Sequence, residues 1–174
     1  PENIPEMATM GIAAFKVFMV VDTGRSYPHM PGIGVHHHGK LLEIFETIAP
    51  TGVALMVHPH DQELMDHIEH QFWDRGERDY RAYAKAYAAY DGIIWDTAAA
   101  LLLRLQLATG TQLHLLHTQT KGVVDQLRAA KTRGQHVSAE INPWAVLLGN
   151  DWATIERLGS YALSYWVPEE NTQP

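Results

Sequence analysis

The chain has 174 residues, of which 46% are hydrophobic and 19% charged, and its formal net charge is -7. This length and composition fit one globular domain with a real hydrophobic core. The acidic balance, without a cluster of Lys or Arg, argues against nucleic acid or an anionic membrane surface as the main partner. The longest apolar stretch, residues 98–108, is interrupted by Arg104 and Gln106 and is too short to span a bilayer.

The chain has no cysteine, which excludes disulfides and thiolate sites and fits a cytoplasmic protein. It begins with Pro1 and ends in the polar sequence PEENTQP. We therefore expect residues 1–174 to be the central portion of a longer protein.

Helix-like and strand-like stretches alternate along the chain. The predicted elements are a helix over 4–10, a strand over 12–21, a helix over 39–49, a strand over 51–59, helices over 61–76, 77–90 and 95–110, a strand over 112–117, a helix over 120–134, a strand over 135–141 and a helix over 150–159 that is capped by Asn150. Such alternation predicts an α/β fold with right-handed crossovers and a parallel sheet. Periodicity leaves open whether this sheet is doubly wound or part of a (β/α)₈ barrel.

Lys16 interrupts the apolar run IAAFKVFMVV at residues 12–21. A strand that is apolar on both faces is typical of a parallel sheet covered by helices, so this lysine is expected to be buried. A buried ammonium without a partner is costly, so the lysine must be paired, neutralised or chemically changed. Burial favours the neutral amine, which can react with carbon dioxide to give a carbamate whose two oxygens can bridge two divalent metals.

Residues able to bind a metal stand at the predicted carboxyl ends of the strands. These residues are Lys16, His58, His117 and Glu140. Functional side chains of parallel α/β folds gather at these ends, so we expect Lys16, His58 and His117 to meet on one rim. Glu140 is expected to face inward together with Ser138, and a structural hydrogen bond is its expected role.

Strand alternation makes a further prediction about the two histidines of the third strand. If His117 faces the barrel interior, Leu113 and Leu115 share its face. His114, three residues earlier, is then expected to point outward toward the helices and to matter for packing only.

The remaining histidines are interpreted as structural or solvated. The tract at residues 36–38 is expected to be a solvated loop or a rim on the substrate side rather than a metal site. His67 and His70 belong to a polar helix face. Pro59 makes His60 the first residue of a loop, so His58 alone is predicted to be a ligand in the His58-Pro59-His60 sequence.

Four segments together resemble the cyclic amidohydrolases, the group of hydantoinases, dihydropyrimidinases, allantoinases and dihydroorotases. They are GIAAFKVFM with Lys16, GVALMVHPHD with His58, LHLLHTQT with His117, and HVSAEINPW. The resemblance implies a (β/α)₈ barrel with a binuclear metal centre. Lys16 would be the carboxylated bridge, His58 and His117 would bind the second metal, and the chain would supply the fourth to seventh strands.

The sequence departs from the family pattern in several places. The paired histidines of the first strand and the aspartate after the eighth strand, which is the general base, have no counterpart and are expected outside these residues. Hydantoinases commonly carry a tyrosine five residues after the lysine, where this chain has Val21. His58-Pro59-His60 replaces the HAE that relatives often show, and both changes indicate an unusual substrate.

The resulting hypothesis is a metal-dependent hydrolase that opens the C–N bond of a cyclic amide or imide. Its expected cofactors are two zinc ions and carbon dioxide held as the lysine carbamate, and its expected partner is a small-molecule substrate, with assembly into a homodimer or homotetramer. The alternatives are a non-catalytic scaffold of the same fold that acts by oligomeric assembly, and an open α/β binding domain whose pocket would lie away from Lys16.

Overall fold

Four short parallel strands form the centre of the fold. The computed structural model describes residues 1–20, 34–164 and 166–174. The strands are β1 (Ala14–Phe18), β2 (Ala54–His58), β3 (Leu113–Leu115) and β4 (Val137–Ala139). Each strand pairs with the next along the chain, in the order β1-β2-β3-β4, and every pairing is parallel. The predicted set of four adjacent parallel strands is confirmed, although each strand is shorter than expected.

Helices connect and flank the strands. They are α1 (Ile4–Thr9), α2 (His38–Ile48), α3 (Gln62–Trp73), α4 (Tyr80–Thr109), α5 (Lys121–Thr132), α6 (Pro143–Leu147) and α7 (Trp152–Leu158). Helix α6 was not predicted from the sequence. Within the described ranges, no helix is both long enough and apolar enough to cross a lipid bilayer.

Helix α4 is broken near its middle. Tyr90 and Asp91 have left-handed φ angles of 52° and 55°, and Gly92 follows with 91°. The two predicted segments, 77–90 and 95–110, are therefore the halves of one bent element. The beginning of the first half packs near α7, whereas Ala86, Tyr87 and Ala89 join the second half in the main core.

The main core lies between the helices and one face of the sheet. Alternate strand residues point into it, because successive side chains of a strand face opposite ways. The buried strand residues are Phe15, Val17, Leu55, Val57, Leu113, Leu115 and Val137, and the helices add Phe45, Ile48, Leu102 and Val123. Burial of this apolar surface is the main source of stability.

The opposite face of the sheet, here called the inner face, is half-buried or exposed. It carries Ala14, Lys16, Phe18, Ala54, Met56, His58, His114 and Ser138. The expectation that Lys16 is buried is wrong for this chain, because the described residues leave the inner face uncovered around it.

Side-chain caps fix where several helices begin. Thr120 accepts a hydrogen bond from the Val123 N–H at 3.2 Å at the start of α5. The predicted cap of the last helix, Asn150, is wrong by one residue: Asp151 accepts from the Thr154 N–H at 2.7 Å. Both residues are good N-caps, so the sequence pattern could not separate them.

Gly122 allows α5 to pack closely on α4. A Cβ at Gly122 would lie 1.7 Å from Asp96 Oδ2 and 2.4 Å from its Cγ. The same carboxylate accepts a hydrogen bond from Thr120 Oγ1 at 2.7 Å, so it is not free to move aside. Gly122→Ala is therefore expected to destabilise the full-length protein by about 1–3 kcal/mol, measured by urea unfolding, although alanine is normally the better helix former.

The control for Gly122→Ala is the same substitution in an Asp96→Ala background. Removing the carboxylate removes the atoms that the new methyl group would overlap, so most of the loss should disappear. An equal loss in both backgrounds would show that the clash with Asp96 is not the cause.

Candidate metal centre

His58 is the last residue of β2 and lies on the inner face. Leu55 and Val57 point into the core, so Met56 and His58 point the other way. The chain leaves the strand through the buried residues Pro59 and His60. The predicted position of His58 at the carboxyl end of its strand is therefore seen in the structure.

His117 reaches the same site through a break in strand alternation. Strand β3 ends at Leu115, and His117 adopts a left-handed conformation with φ of 56°. Its imidazole centroid lies 5.4 Å from that of His58, with the ring planes inclined by 60°. Two imidazoles at this spacing can direct nitrogen atoms toward one region.

The predicted orientation of His114 is wrong. Leu113 and Leu115 are buried in the core, and His114 lies on the inner face, in register with Met56 and Ser138. The parity argument assumed a regular strand as far as His117, and the left-handed residue breaks that assumption. As a result, both histidines of this segment reach the inner side of the sheet.

Lys16 lies in the middle of β1, not at its end as predicted. It is in register with Met56, two residues before the level of His58. Its Nζ lies 4.4 Å from the centroid of the Phe18 ring, and that ring is 6.3 Å from the His58 ring. The side chain thus extends from mid-strand along the inner face toward the histidines.

The electrostatic surroundings keep His58 neutral. The pKa of His58 is lowered to about 3, chiefly because burial disfavours the imidazolium, and also by the charges of His60, His117 and Lys16. An imidazole with this pKa is uncharged at neutral pH, which is the form that binds a metal.

An aromatic wall behind His58 was not predicted. Trp95 lies 5.6 Å from the His58 ring and 5.6 Å from Tyr87, which it meets edge-on at 83°. The Tyr87 hydroxyl lies 3.2 Å from Nδ1 of the buried His60. The break in α4 brings both aromatic residues here. The sequence signal for it was the Asp91-Gly92 pair, which is typical of a turn.

Glu140, which directly follows β4, lies beside His117 and His114 at the site. Its Oε1 lies 3.2 Å from His117 Nδ1, and its Oε2 lies 3.7 Å from His114 Nε2. His114 Nδ1 in turn lies 2.8 Å from Ser138 Oγ. The sequence placed Glu140 and Ser138 inward but did not connect them to the two histidines.

The histidines of the 36–38 tract and of α3 are solvated as expected, although His38 begins α2 and does not lie in a loop. His36 and His38 are exposed and line a small cavity of about 220 Å³ beside the first turn of α3. His67 and His70 are exposed on α3, and His70 Nδ1 lies 2.6 Å from the Asp66 carbonyl oxygen.

The residues present fit part of a metal centre. His58 and His117 meet, and Lys16 extends toward them on the inner face. Among the described residues, no group of three or more His, Asp or Glu is placed to hold a metal ion by itself. A complete centre therefore needs the lysine in a metal-binding form or ligands from elsewhere.

Comparison with known proteins identifies the relatives of this chain. No family model matches it. It is 28% identical over 165 residues to the L-hydantoinase of Paenarthrobacter aurescens, which covers 92% of this chain and 33% of that protein. It is 29% identical over 123 residues to the dihydroorotase of Lactobacillus leichmannii, covering 69% of this chain and 27% of that protein.

A solved structure has the same fold as this chain. The L-hydantoinase (dihydropyrimidinase) from Arthrobacter aurescens superposes with a TM-score of 0.76 at 27% identity, over 92% of this chain and 34% of that one. These matches support the assignment of this chain as a fragment of a cyclic amidohydrolase. The cyclic amidohydrolase resemblance drawn from the sequence and the barrel fold it implied are confirmed, and the sheet corresponds to four consecutive β/α units of a (β/α)₈ barrel.

The extent of the similarity limits what it shows. The chain spans about a third or less of the length of the cyclic amidohydrolases it matches. Val21, which replaces the tyrosine of hydantoinases, lies outside the described residues. Activity, substrate and metal ligands are therefore matters for proposal.

Proposed function

We propose that this chain forms part of a metal-dependent hydrolase that opens the C–N bond of a cyclic amide or imide. The observation that best supports this is the meeting of His58 and His117, with ring centroids 5.4 Å apart, at the carboxyl ends of adjacent parallel strands. In barrels of this type the carboxyl ends of the strands carry the chemistry. The relatives' activities, L-hydantoinase and dihydroorotase, supply the reaction class.

The metal ligands in this chain would be Lys16, His58 and His117. Neutral imidazole is a common zinc ligand, and His58 has surroundings that keep it neutral. We propose two zinc ions, of which the two histidines would hold one. When bound, such metals lower the pKa of a bridging water and polarise the substrate carbonyl.

Lys16 would act as a carbamate. Its ammonium would first lose a proton, and the neutral amine would then form an N–C bond to carbon dioxide and release a second proton. A cation would thereby become an anion with two oxygen ligands. By the family resemblance, an aspartate after the eighth strand of the barrel would act as the general base; it does not belong to this chain.

The family resemblance also supplies the proposed partner, assembly state and location of the protein. The partner is a small cyclic amide, and we propose a homodimer or homotetramer in the cytoplasm. The family motifs in the sequence did not predict the break in α4 or the aromatic wall of Trp95 and Tyr87. We propose that they contribute to an unusual substrate preference.

The proposal is tested by reloading metal-depleted full-length protein with Zn²⁺, with and without bicarbonate. Metal content and hydrolysis of hydantoin, dihydroorotate and allantoin are measured in each sample. We expect close to two metals per chain, together with ring opening of at least one substrate, and both should depend on bicarbonate.

Two outcomes would contradict the proposal. Full hydrolysis by metal-free protein would exclude the metal-dependent mechanism. A folded protein that takes up no metal and opens no ring would favour the alternative of a non-catalytic scaffold, to be checked by measuring its assembly state.

A further inference from the structure

The backbone of Glu140 holds the segment that carries His117. The Glu140 N–H donates to the Leu115 carbonyl at 3.0 Å, and the Glu140 carbonyl accepts from the Thr118 N–H at 2.7 Å. These two bonds bracket the left-handed His117. The pairing of β3 with β4 therefore continues beyond both strands and fixes the turn that directs this imidazole into the site.

The conformation of His117 needs such support. Non-glycine residues rarely adopt a positive φ, and His117 has φ of 56° outside any helix. Strained residues of this kind persist only where surrounding contacts over-determine them, and they are common at functional sites. Here the surrounding contacts come from Glu140.

The Glu140 side chain lies next to Nδ1 of His117. Its Oε1 lies 3.2 Å from His117 Nδ1, which is buried. Nδ1 makes no hydrogen bond of good geometry within the described part of the chain, so the carboxylate is the acceptor within reach. A small rotation of either group would complete an Nδ1–H···Oε1 bond.

A second histidine lies near the other oxygen of the carboxylate, and a serine lies beside that histidine. His114 Nε2 lies 3.7 Å from Glu140 Oε2, and His114 Nδ1 lies 2.8 Å from Ser138 Oγ. Four polar residues therefore lie next to one another along the inner face: Ser138, His114, Glu140 and His117. This arrangement gives His114 a role beyond packing.

We propose that Glu140 is the positioning residue of His117. Its carboxylate accepts a hydrogen bond from Nδ1–H and thereby leaves the lone pair on Nε2, while His114 lies near the other carboxylate oxygen. Outer carboxylates of this type orient histidine ligands and fix their tautomer. The inference rests on the proposed function for its metal, but the orientation of His117 is a property of the metal-free chain.

The experiment uses Glu140→Gln and Glu140→Ala in the full-length protein, with Glu46→Gln on the exposed side of α2 as the matched control. Zn²⁺ affinity is measured by competition with a chromophoric chelator. The tautomer of His117 in metal-free protein is read from ¹⁵N-histidine NMR spectra, in which a His117→Asn variant assigns the signal.

We expect Zn²⁺ affinity to fall by about 10- to 100-fold in Glu140→Ala. Glu140→Gln, whose amide oxygen still accepts a hydrogen bond, should lose less. His117 should carry its proton on Nδ1 in the wild-type protein and in Glu46→Gln, and should become a mixture of tautomers in Glu140→Ala.

The tautomer separates this inference from the proposed function. A protein that binds no metal but loses the Nδ1-H tautomer in Glu140→Ala would contradict the proposed function and support the role of Glu140. An unchanged tautomer in both Glu140 variants would overturn that role, whatever the metal affinity. If Glu140→Ala fails to fold, Glu140→Leu gives the same comparison, because leucine is closer in size to glutamate and also offers no hydrogen-bond acceptor.

Discussion

Replacing Lys16 with alanine in the full-length protein is expected to remove bound metal and ring-opening activity together. The alanine cannot form a carbamate, so the centre would lose the anion that we propose as a ligand of its metals and that would offset their charge. Loss of an outer-shell partner typically costs 10- to 100-fold, so loss of this ligand should cost more than about 100-fold in activity. Metal content by elemental analysis and hydrolysis rates would be measured on the same samples.

His117→Ala should behave as Lys16→Ala does, because it removes an imidazole that meets His58 at 5.4 Å. His70→Ala is the matched control: His70 is exposed on α3 and bonded to the helix backbone, so neither metal nor activity should change. Full activity in a metal-free Lys16→Ala protein would overturn the proposed mechanism.

The sequence predicted the framework of the fold because each element had a strong local signal. Apolar runs bounded by glycine and polar residues became β1 to β4, and Gly11 and Gly110 ended helices where expected. Strand–helix alternation then indicated a parallel sheet, because a helix between two strands returns the chain so that both strands run in the same direction. The choice between an open sheet and a barrel came from the family resemblance instead.

The errors at the site come from features that local patterns do not encode. Local residue preferences do not predict a left-handed backbone at His117. This histidine was therefore placed by strand parity, and His114 was assigned to the wrong face of the sheet. Lys16 was expected to be at the end of a strand, but β1 continues to Phe18. The link from Glu140 to both histidines depends on strand register, which the sequence did not fix.

The aromatic wall was missed for a related reason. Tyr87 and Trp95 are eight residues apart and would lie on similar sides of a straight helix, at different heights. The left-handed residues Tyr90 and Asp91 and the following Gly92 fold the chain so that both rings meet beside His58. A single non-helical turn thus decides which side chains surround the proposed metal ligands.

The 174-residue chain produced by itself is expected to aggregate and to hold no complete binuclear centre. Its inner face leaves apolar residues such as Phe18 and Met56 only half-buried. Beyond β4, at the edge of the described sheet, Val146 and Leu147 of α6 are 66% and 79% exposed. Open strand edges and apolar patches of this kind promote association between copies. Size-exclusion chromatography with light scattering would measure this association.

Two substitutions separate surface association from general instability of the isolated chain. Met56→Lys places a charge on the uncovered inner face and should reduce aggregation, because the lysine can remain in water. Leu55→Lys, one residue earlier, places the same charge in the core, where Leu55 is fully buried, and should unfold the chain.

In the full-length protein, where we propose that further barrel strands cover the inner face, Met56→Lys should instead be destabilising. A wild-type chain of 174 residues that is monomeric, unfolds cooperatively and hydrolyses a cyclic amide by itself would contradict this account, since its inner face would then need no cover.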